Sequence, residues 1–463
     1  MKTNFTLLVF FFSLNLIAQD INGSWSTQLE ISGMKLPLVF HFEEAEDQFS
    51  ASMDSPQQQA FELAFSEALR KKDSLFLKMP NMGIEIKAKI KSEEAIEAHF
   101  KQGFYSSEIQ LKRKRGDDSD GLKRPQTPKP PFTYEEIEVT YTNQKAGIDL
   151  AGTLTVPENC ESCKAVVLIS GSGAQDRNSE IFNHQLFKVV ADFLSSNNIA
   201  VLRFDERGVG ESEGKFTGAT TYNFVDDVEA GVSFLLEQNH FQPTQIGLYG
   251  HSEGGMVAPL LAKQNENIDF LILIAPPAVP ISELMIKQQE LVSQTAGLDA
   301  ATIKFYEQIN QEAYALIKAS KDLEELTPKL QKFYTQKIED HPNLGKDGGM
   351  TAQEYKQTVM QAYTDPWMYN FLKMDPADYL SALKLPTLAF FGEKDIQVSP
   401  KENAERLIEL IGENNPSNKI SIQPNLNHLM QNATTGSIAE YGMIEETIDQ
   451  DLLNEILEWL EGI

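Results

Sequence analysis

Ile246-Gly-Leu-Tyr249 runs directly into Gly250-His251-Ser252-Glu253-Gly254-Gly255, and Met256-Val-Ala-Pro-Leu-Leu-Ala262 follows. An apolar, β-prone run thus breaks into Gly-x-Ser-x-Gly and leaves as an apolar helix, which is the layout of a nucleophile elbow. Such a turn holds the serine in a strained backbone conformation, with Gly250 and Gly254 where a Cβ would strike the flanking strand and helix. The serine Oγ then stands above a sheet, next to backbone N–H groups at a helix N-terminus that suit a developing oxyanion. Pro259 is discordant, because a proline beyond the first turn removes a backbone bond and is expected to distort the helix.

Outward from the elbow, strands and helices alternate. Apolar runs at 165–169, 199–204, 246–249, 270–274, 387–391 and 420–422 are separated by helical patterns such as 186–194, 223–236 and 405–411. Continuous apolar strands between amphipathic helices predict a mostly parallel sheet covered on both faces. An antiparallel pair, 139–141 with 148–156, is expected to precede it. The interval 280–383 breaks the alternation with helical spacing at 284–291, 303–317 and 355–368. Lying between two sheet strands, it is predicted to be an inserted helical cap above the strands' C-terminal edge, where it would shape a pocket and exclude water.

A serine needs a base, and the base a third group to orient it. On a sheet of this kind the order along the chain is Ser, acid, His. The 387–391 strand ends in Gly392-Glu-Lys-Asp395, and the last strand is followed by Asn425-Leu-Asn-His428. Asp395 and His428 therefore fall at the same edge as Ser252. Glu393 is the rival acid but lies nearer the strand end; among the seven histidines only His428 is placed to act as base. The oxyanion hole is expected to use the backbone N–H of Glu253 and a second donor from Ser170-Gly-Ser-Gly-Ala-Gln-Asp-Arg177, with Ser172 first and Gly173 as the alternative. That loop lacks the Gly-Lys-Ser/Thr end of a phosphate cradle, and no His-Glu-x-x-His occurs, so neither a nucleotide cofactor nor a metal is expected.

These motifs together resemble a known family. Gly171-Ser-Gly173 with Asp176-Arg177, Arg203-Phe-Asp-Glu-Arg-Gly-Val-Gly-Glu-Ser212, Gly250-His-Ser-Glu-Gly-Gly255, Gly392-Glu-Lys-Asp395 and Asn427-His428 are similar to bacterial EstD-type esterases, within the serine aminopeptidase-like group of α/β-hydrolases. The resemblance implies an α/β-hydrolase fold over 132–463 and hydrolysis of carboxylic esters by Ser252, Asp395 and His428. Asp205, Arg207, Gly208 and Gly210 match a D-x-R-G-x-G loop that suits a self-bonded turn. Asp176 and Arg177 either contact substrate or order their loop.

Ahead of this lies a different rhythm. Short alternating stretches at 25–31, 36–42, 49–53, 74–78, 84–90, 95–100 and 107–111 predict a small all-β, antiparallel domain over 20–112. Its Gly23-Ser-Trp25 opening and meandering strands resemble lipocalin-like modules. A charged, proline-rich linker is expected over 113–131. Residues 1–18 have a basic start, an apolar core and Ala18 at the end, the layout of a secretory signal peptide, which predicts export and no integral membrane segment in the mature chain. In an exported protein Cys160 and Cys163, the only cysteines, would close a small loop as a disulfide; unpaired thiols are the alternative.

A formal net charge of −27 over 463 residues excludes nucleic-acid binding through a general basic field. The expected partner is a small-molecule ester. An aminopeptidase or dipeptidase using the same triad, and a non-catalytic ligand- or glycan-binding protein on a hydrolase scaffold, are the other readings.

Overall fold

A computed structural model describes residues 20–31, 34–45, 48–55, 60–80, 83–102, 105–114 and 123–463, so the expected signal peptide lies outside the described residues. The chain forms two units, Met1–Leu122 and Lys123–Ile463.

The first unit is all β: β1 (Gly23–Ile31), β2 (Met34–Ala45), β3 (Gln48–Ser55), β4 (Ala60–Ala64), β5 (Glu67–Lys71), β6 (Ser74–Met79), β7 (Ile84–Ser92), β8 (Ala95–Gln102) and β9 (Tyr105–Arg113). All pair in one sheet, in the order β4-β3-β2-β1-β9-β8-β7-β6-β5. The two edge strands, β4 and β5, are consecutive in the chain. Three residue steps of at most about 3.8 Å join them, so the sheet must curl until its edges nearly meet. Side chains alternate as a one-sided sheet requires, with Ile84, Ile86, Ala88 and Ile90 of β7 buried and the residues between them exposed. Trp25, Phe40, Leu75, Leu77, Ile96 and Phe100 pack the concave face, and the Trp25 indole N–H donates to the Ile21 carbonyl at 2.9 Å. Strands β4 and β5, which sequence analysis does not identify, read Ala-Phe-Glu-Leu-Ala and Glu-Ala-Leu-Arg-Lys; helix-forming residues are held extended by cross-strand pairing.

The second unit opens with the antiparallel hairpin β10 (Tyr134–Asn143) and β11 (Ile148–Pro157). There follow β12 (Ser162–Ile169), a two-residue hairpin β13 (Glu180–Ile181) and β14 (His184–Gln185), α1 (Leu186–Ser196), β15 (Ala200–Phe204), α2 (Thr221–Glu237), β16 (Gln242–His251), α3 (Gly254–Ala262) and β17 (Phe270–Ile274). The insertion comprises α4 (Ile281–Thr295), α5 (Ala300–Ala319), α6 (Leu323–Asp340), α7 (Ala352–Tyr363), α8 (Pro366–Phe371) and α9 (Ala377–Leu380). It packs around its own core of Ile309, Ala313, Leu326, Leu330 and Tyr334. The chain then returns to the sheet with β18 (Thr387–Gly392), α10 (Pro400–Ile411), β19 (Lys419–Gln423), α11 (Ile438–Tyr441) and α12 (Gln450–Glu461).

Sheet order is β10-β11-β15-β12-β16-β17-β18-β19, with every pair from β15 to β19 parallel. This is an α/β-hydrolase fold with a helical cap. Successive strands lie to one side of β12 at β15 and to the other from β16 onward, so the loops after β12 and β16 separate at a switch point that leaves a crevice at the strands' C-terminal ends. The helical pattern expected over 355–368 is divided before Pro366, where Asp365 caps a new helix that opens on that proline. Helix α3 carries Pro259 in its second turn and ends at Ala262. A disulfide joins Cys160, in the turn after β11, to Cys163 in β12.

One boundary differs from expectation. The strand before the linker runs through Arg113, and 123–131 belongs to the second unit rather than to a free linker. The Arg124 guanidinium donates to the carbonyls of Phe182, Gly442 and Ile444 at 2.9, 2.8 and 3.0 Å. Gln126 donates to Ile448 O at 2.7 Å and accepts from Thr447 N at 2.6 Å. Polar side chains that read as solvated thus satisfy the backbone of two loops. Among the described residues no helix is long and apolar enough to cross a membrane.

Candidate active site

Strand β16 delivers Ser252 at its C-terminal end with φ +54°, a conformation L residues rarely take. The turn closes because Ser252 N–H donates to Ile274 O and Gly255 N–H to Ser252 O, at 2.9 and 2.8 Å. Two glycines make it possible. A Cβ on Gly250 would lie 2.1 Å from Gly254 O, and one on Gly254 would lie 2.2 Å from Ile169 O. The elbow is therefore pressed against the end of β12, and the Gly171 loop against the elbow.

His428 and Asp395 come together across two loops. His428 Nδ1 donates to Asp395 Oδ2 at 2.7 Å, and both side chains are buried. The other oxygen of Asp395 accepts from the backbone N–H groups of Gln397 (2.7 Å) and Val398 (2.9 Å). Glu393, the rival acid, is exposed and accepts from Asn425 N at 2.9 Å instead. Asn427 shapes the histidine loop: its side-chain oxygen accepts from Leu429 N and Gln431 N, each at 3.0 Å. His251 adds a brace, donating from Nε2 to His428 O at 2.9 Å. Burial, then the neighbouring His428, depress the His251 imidazole to about 4, so it is held neutral.

Ser252, Glu253, Ser172 and His428 line one cavity of about 220 Å³. Its walls come from the Gly171 loop, from Ile181 of β13, from Gln397 and Val398 after Asp395, from Tyr441, and from the cap through Leu284, Met285, Gln288, Trp367 and Phe371. Trp367 and Phe371 stack with centroids 4.8 Å apart. Such a cleft, largely apolar with a few converging polar groups, fits a small uncharged molecule.

Asp176 and Arg177 do not line this cavity. Arg177 lies on Asp205, with Nη2 to Oδ2 at 2.6 Å, and also reaches Glu211 and Glu138. Asp176 accepts from Glu180 N at 2.9 Å. The D-x-R-G-x-G loop has a second pair, Arg207 Nε to Asp227 Oδ2 at 2.6 Å. All four groups order loops.

Sequence reasoning missed the side chain of Glu253. It is 2% exposed and accepts from Thr221 Oγ1 (2.6 Å), Trp367 Nε1 (2.9 Å) and Ser172 Oγ (2.8 Å). Burial raises its carboxyl above the usual range, against the pull of those three donors. Glu206, behind the same loop, is pushed up to about 8, chiefly by burial, although Ser170 Oγ and Gln175 N donate to it.

A family model described as "Serine aminopeptidase, S33" matches residues 183–434. The chain is 28% identical over 330 residues to Esterase EstD of Thermotoga maritima, spanning 71% of this chain and 68% of that protein. It is 28% identical over 191 residues to thiohydrolase aneE of Aspergillus aculeatus, spanning 39% and 56%. Among solved structures, the Pyrococcus furiosus esterase Pf2001 aligns with a TM-score of 0.42 at 17% identity, over 71% of this chain and 93% of the other.

Proposed function

Because the chain belongs to the serine aminopeptidase S33 family of α/β-hydrolases, we propose that it cleaves carboxylic esters through an acyl-enzyme on Ser252. One observation carries the proposal: a buried Asp395–His428 pair at 2.7 Å faces the same cavity as a serine held at positive φ on a glycine-flanked turn. In this reading His428, oriented through Nδ1 by Asp395, takes the Ser252 proton at Nε2 as Oγ attacks the ester carbonyl. The backbone N–H groups of Glu253 and Ser172 receive the oxyanion. The proton then passes from His428 to the leaving alcohol, and water, activated by the same imidazole, releases the acid.

The cavity favours esters over aminoacyl substrates. An α-ammonium group calls for an unengaged carboxylate. Among the lining residues Glu253 is the sole carboxylate, and three donors occupy it. Two measurements test the reading. Ser252→Ala is expected to reduce p-nitrophenyl ester hydrolysis to background and to abolish fluorophosphonate labelling while the fold is retained; unchanged turnover refutes it. Faster turnover of aminoacyl anilides than of matched esters would overturn the substrate class. We also propose export, supported by the Cys160–Cys163 disulfide. Mass spectrometry of the exported chain should find the N-terminus at Gln19, and an intact Met1 would refute processing.

A further inference from the structure

The residue after the nucleophile does more in this fold than offer a backbone N–H. The Glu253 carboxylate is shared by three elements far apart in the sequence: the loop after β12 through Ser172, the first residue of α2 through Thr221, and the cap helix α8 through Trp367. Burying a carboxylate is costly and is tolerated only when its oxygens are well paired. The two oxygens divide the work. One accepts from Thr221 and Trp367, and the other from Ser172 alone.

Trp367 is fixed at both ends. Its backbone N–H is capped by Asp365 Oδ1 at 2.8 Å, its indole N–H reaches Glu253, and its ring stacks on Phe371 inside the cavity. Ser172 is equally constrained, since its hydroxyl is spent on Glu253 while its backbone N–H is the second oxyanion donor in the proposed mechanism. A displacement of the indole by an occupant of the cavity would therefore be felt at the Ser172 loop through a single carboxylate.

We infer that Glu253 is a positioning residue that couples the cap to the oxyanion loop, so that the seating of Trp367 sets the placement of the Ser172 N–H. The inference rests on the serine-esterase reading above. A purely local role, in which Glu253 fills a buried slot, would leave the cap and the loop energetically independent.

A double-variant cycle separates the two. Ser172→Ala keeps the backbone donor and deletes the hydroxyl. Trp367→Phe keeps an aromatic ring and deletes the indole N–H. Glu253 stays in place, because its removal would unpair three buried donors and risk the fold. With p-nitrophenyl acetate each single variant is expected to lower kcat by about three- to tenfold, the size of roughly one ordinary hydrogen bond's net worth felt at the transition state. The double variant should then fall within about twofold of the worse single one, because residues acting through a shared partner are not additive. A double-variant loss equal to the product of the two single losses overturns the coupling, as does a Trp367→Phe effect confined to KM. Fluorophosphonate labelling of Ser252 in every variant keeps the two ideas apart: additivity with Ser252 labelled removes the coupling alone, whereas failure to label the parent protein removes the esterase reading.

Discussion

Replacing Asp395 by asparagine should inactivate the enzyme without unfolding it, and the direction of the amide explains why. Asp395 is 2% exposed and its two oxygens have different duties. One accepts from the N–H groups of Gln397 and Val398, and the other from His428 Nδ1. An asparagine has one oxygen, and two buried backbone donors require it. Its NH2 group must then face His428. A donor at Nδ1 forces the imidazole proton onto Nε2, and an imidazole protonated there cannot take the Ser252 proton. The loss expected for a wrong tautomer in intact geometry is about 10⁴-fold in kcat. Asp395→Ala leaves the two N–H groups unpaired, each at a cost of about 1–3 kcal/mol of stability, yet it does not impose the wrong tautomer. The asparagine variant should thus be the more stable and no more active of the two. Initial rates on p-nitrophenyl acetate beside thermal unfolding of both proteins decide the matter. An asparagine variant within tenfold of the parent, or one that loses activity only in step with Tm, refutes the argument.

Three further predictions follow from particular contacts. Gly254→Ala places a Cβ 2.2 Å from Ile169 O and 2.7 Å from Ser170 O, so the elbow must retreat by about 1 Å, which is enough to cost about 100-fold in kcat/KM; a variant of parental activity would show that the elbow tolerates the shift. Arg124→Ala removes a cationic donor from three carbonyls and should lower stability by about 1.5–3 kcal/mol, read as a reduced denaturant midpoint at constant m-value; an unmoved midpoint means that 123–131 is not docked. Stability should also fall toward both ends of the pH range. Buried His184 and His251 are depressed from 6.5 to about 4, so the unfolded chain takes up their protons first and stability drops as pH falls from about 6.5 toward about 4. Glu206 acts with the opposite sign: raised from 4.5 to about 8, it keeps its proton in the fold while the unfolded chain releases it, so stability drops as pH rises across that interval. Glu206→Gln removes the second limb, and the Tm difference between variant and parent should grow in the variant's favour from about pH 5 to about pH 8; a difference that does not change with pH refutes this assignment.

What could be read from the sequence was what the backbone itself demands. The elbow is legible because no residue with a Cβ fits at Gly250 or Gly254, whatever the rest of the chain does. Strands β12, β15, β17 and β18 are legible because burial on both faces leaves nearly unbroken apolar runs. Helix α6 escaped notice because its exposed face is charged and Pro328 interrupts the pattern, although Leu326, Leu330 and Tyr334 keep helical spacing. The same limit hid the polar partners. A glutamate after the nucleophile reads as a solvated side chain, and nothing local reveals that Thr221 and Trp367, thirty-two residues before it and one hundred and fourteen after it, will converge on it. Arg124 looked like linker charge for the same reason, since its acceptors are backbone carbonyls, which every sequence has and none displays. Motifs therefore record where chemistry constrains the main chain, while the contacts that tie cap to loop are long-range pairings of ordinary residues. If Glu253 couples Trp367 to Ser172 as inferred, specificity in this fold is set through side chains that carry no local signature, and relatives sharing the elbow are free to differ in substrate by changing the cap alone.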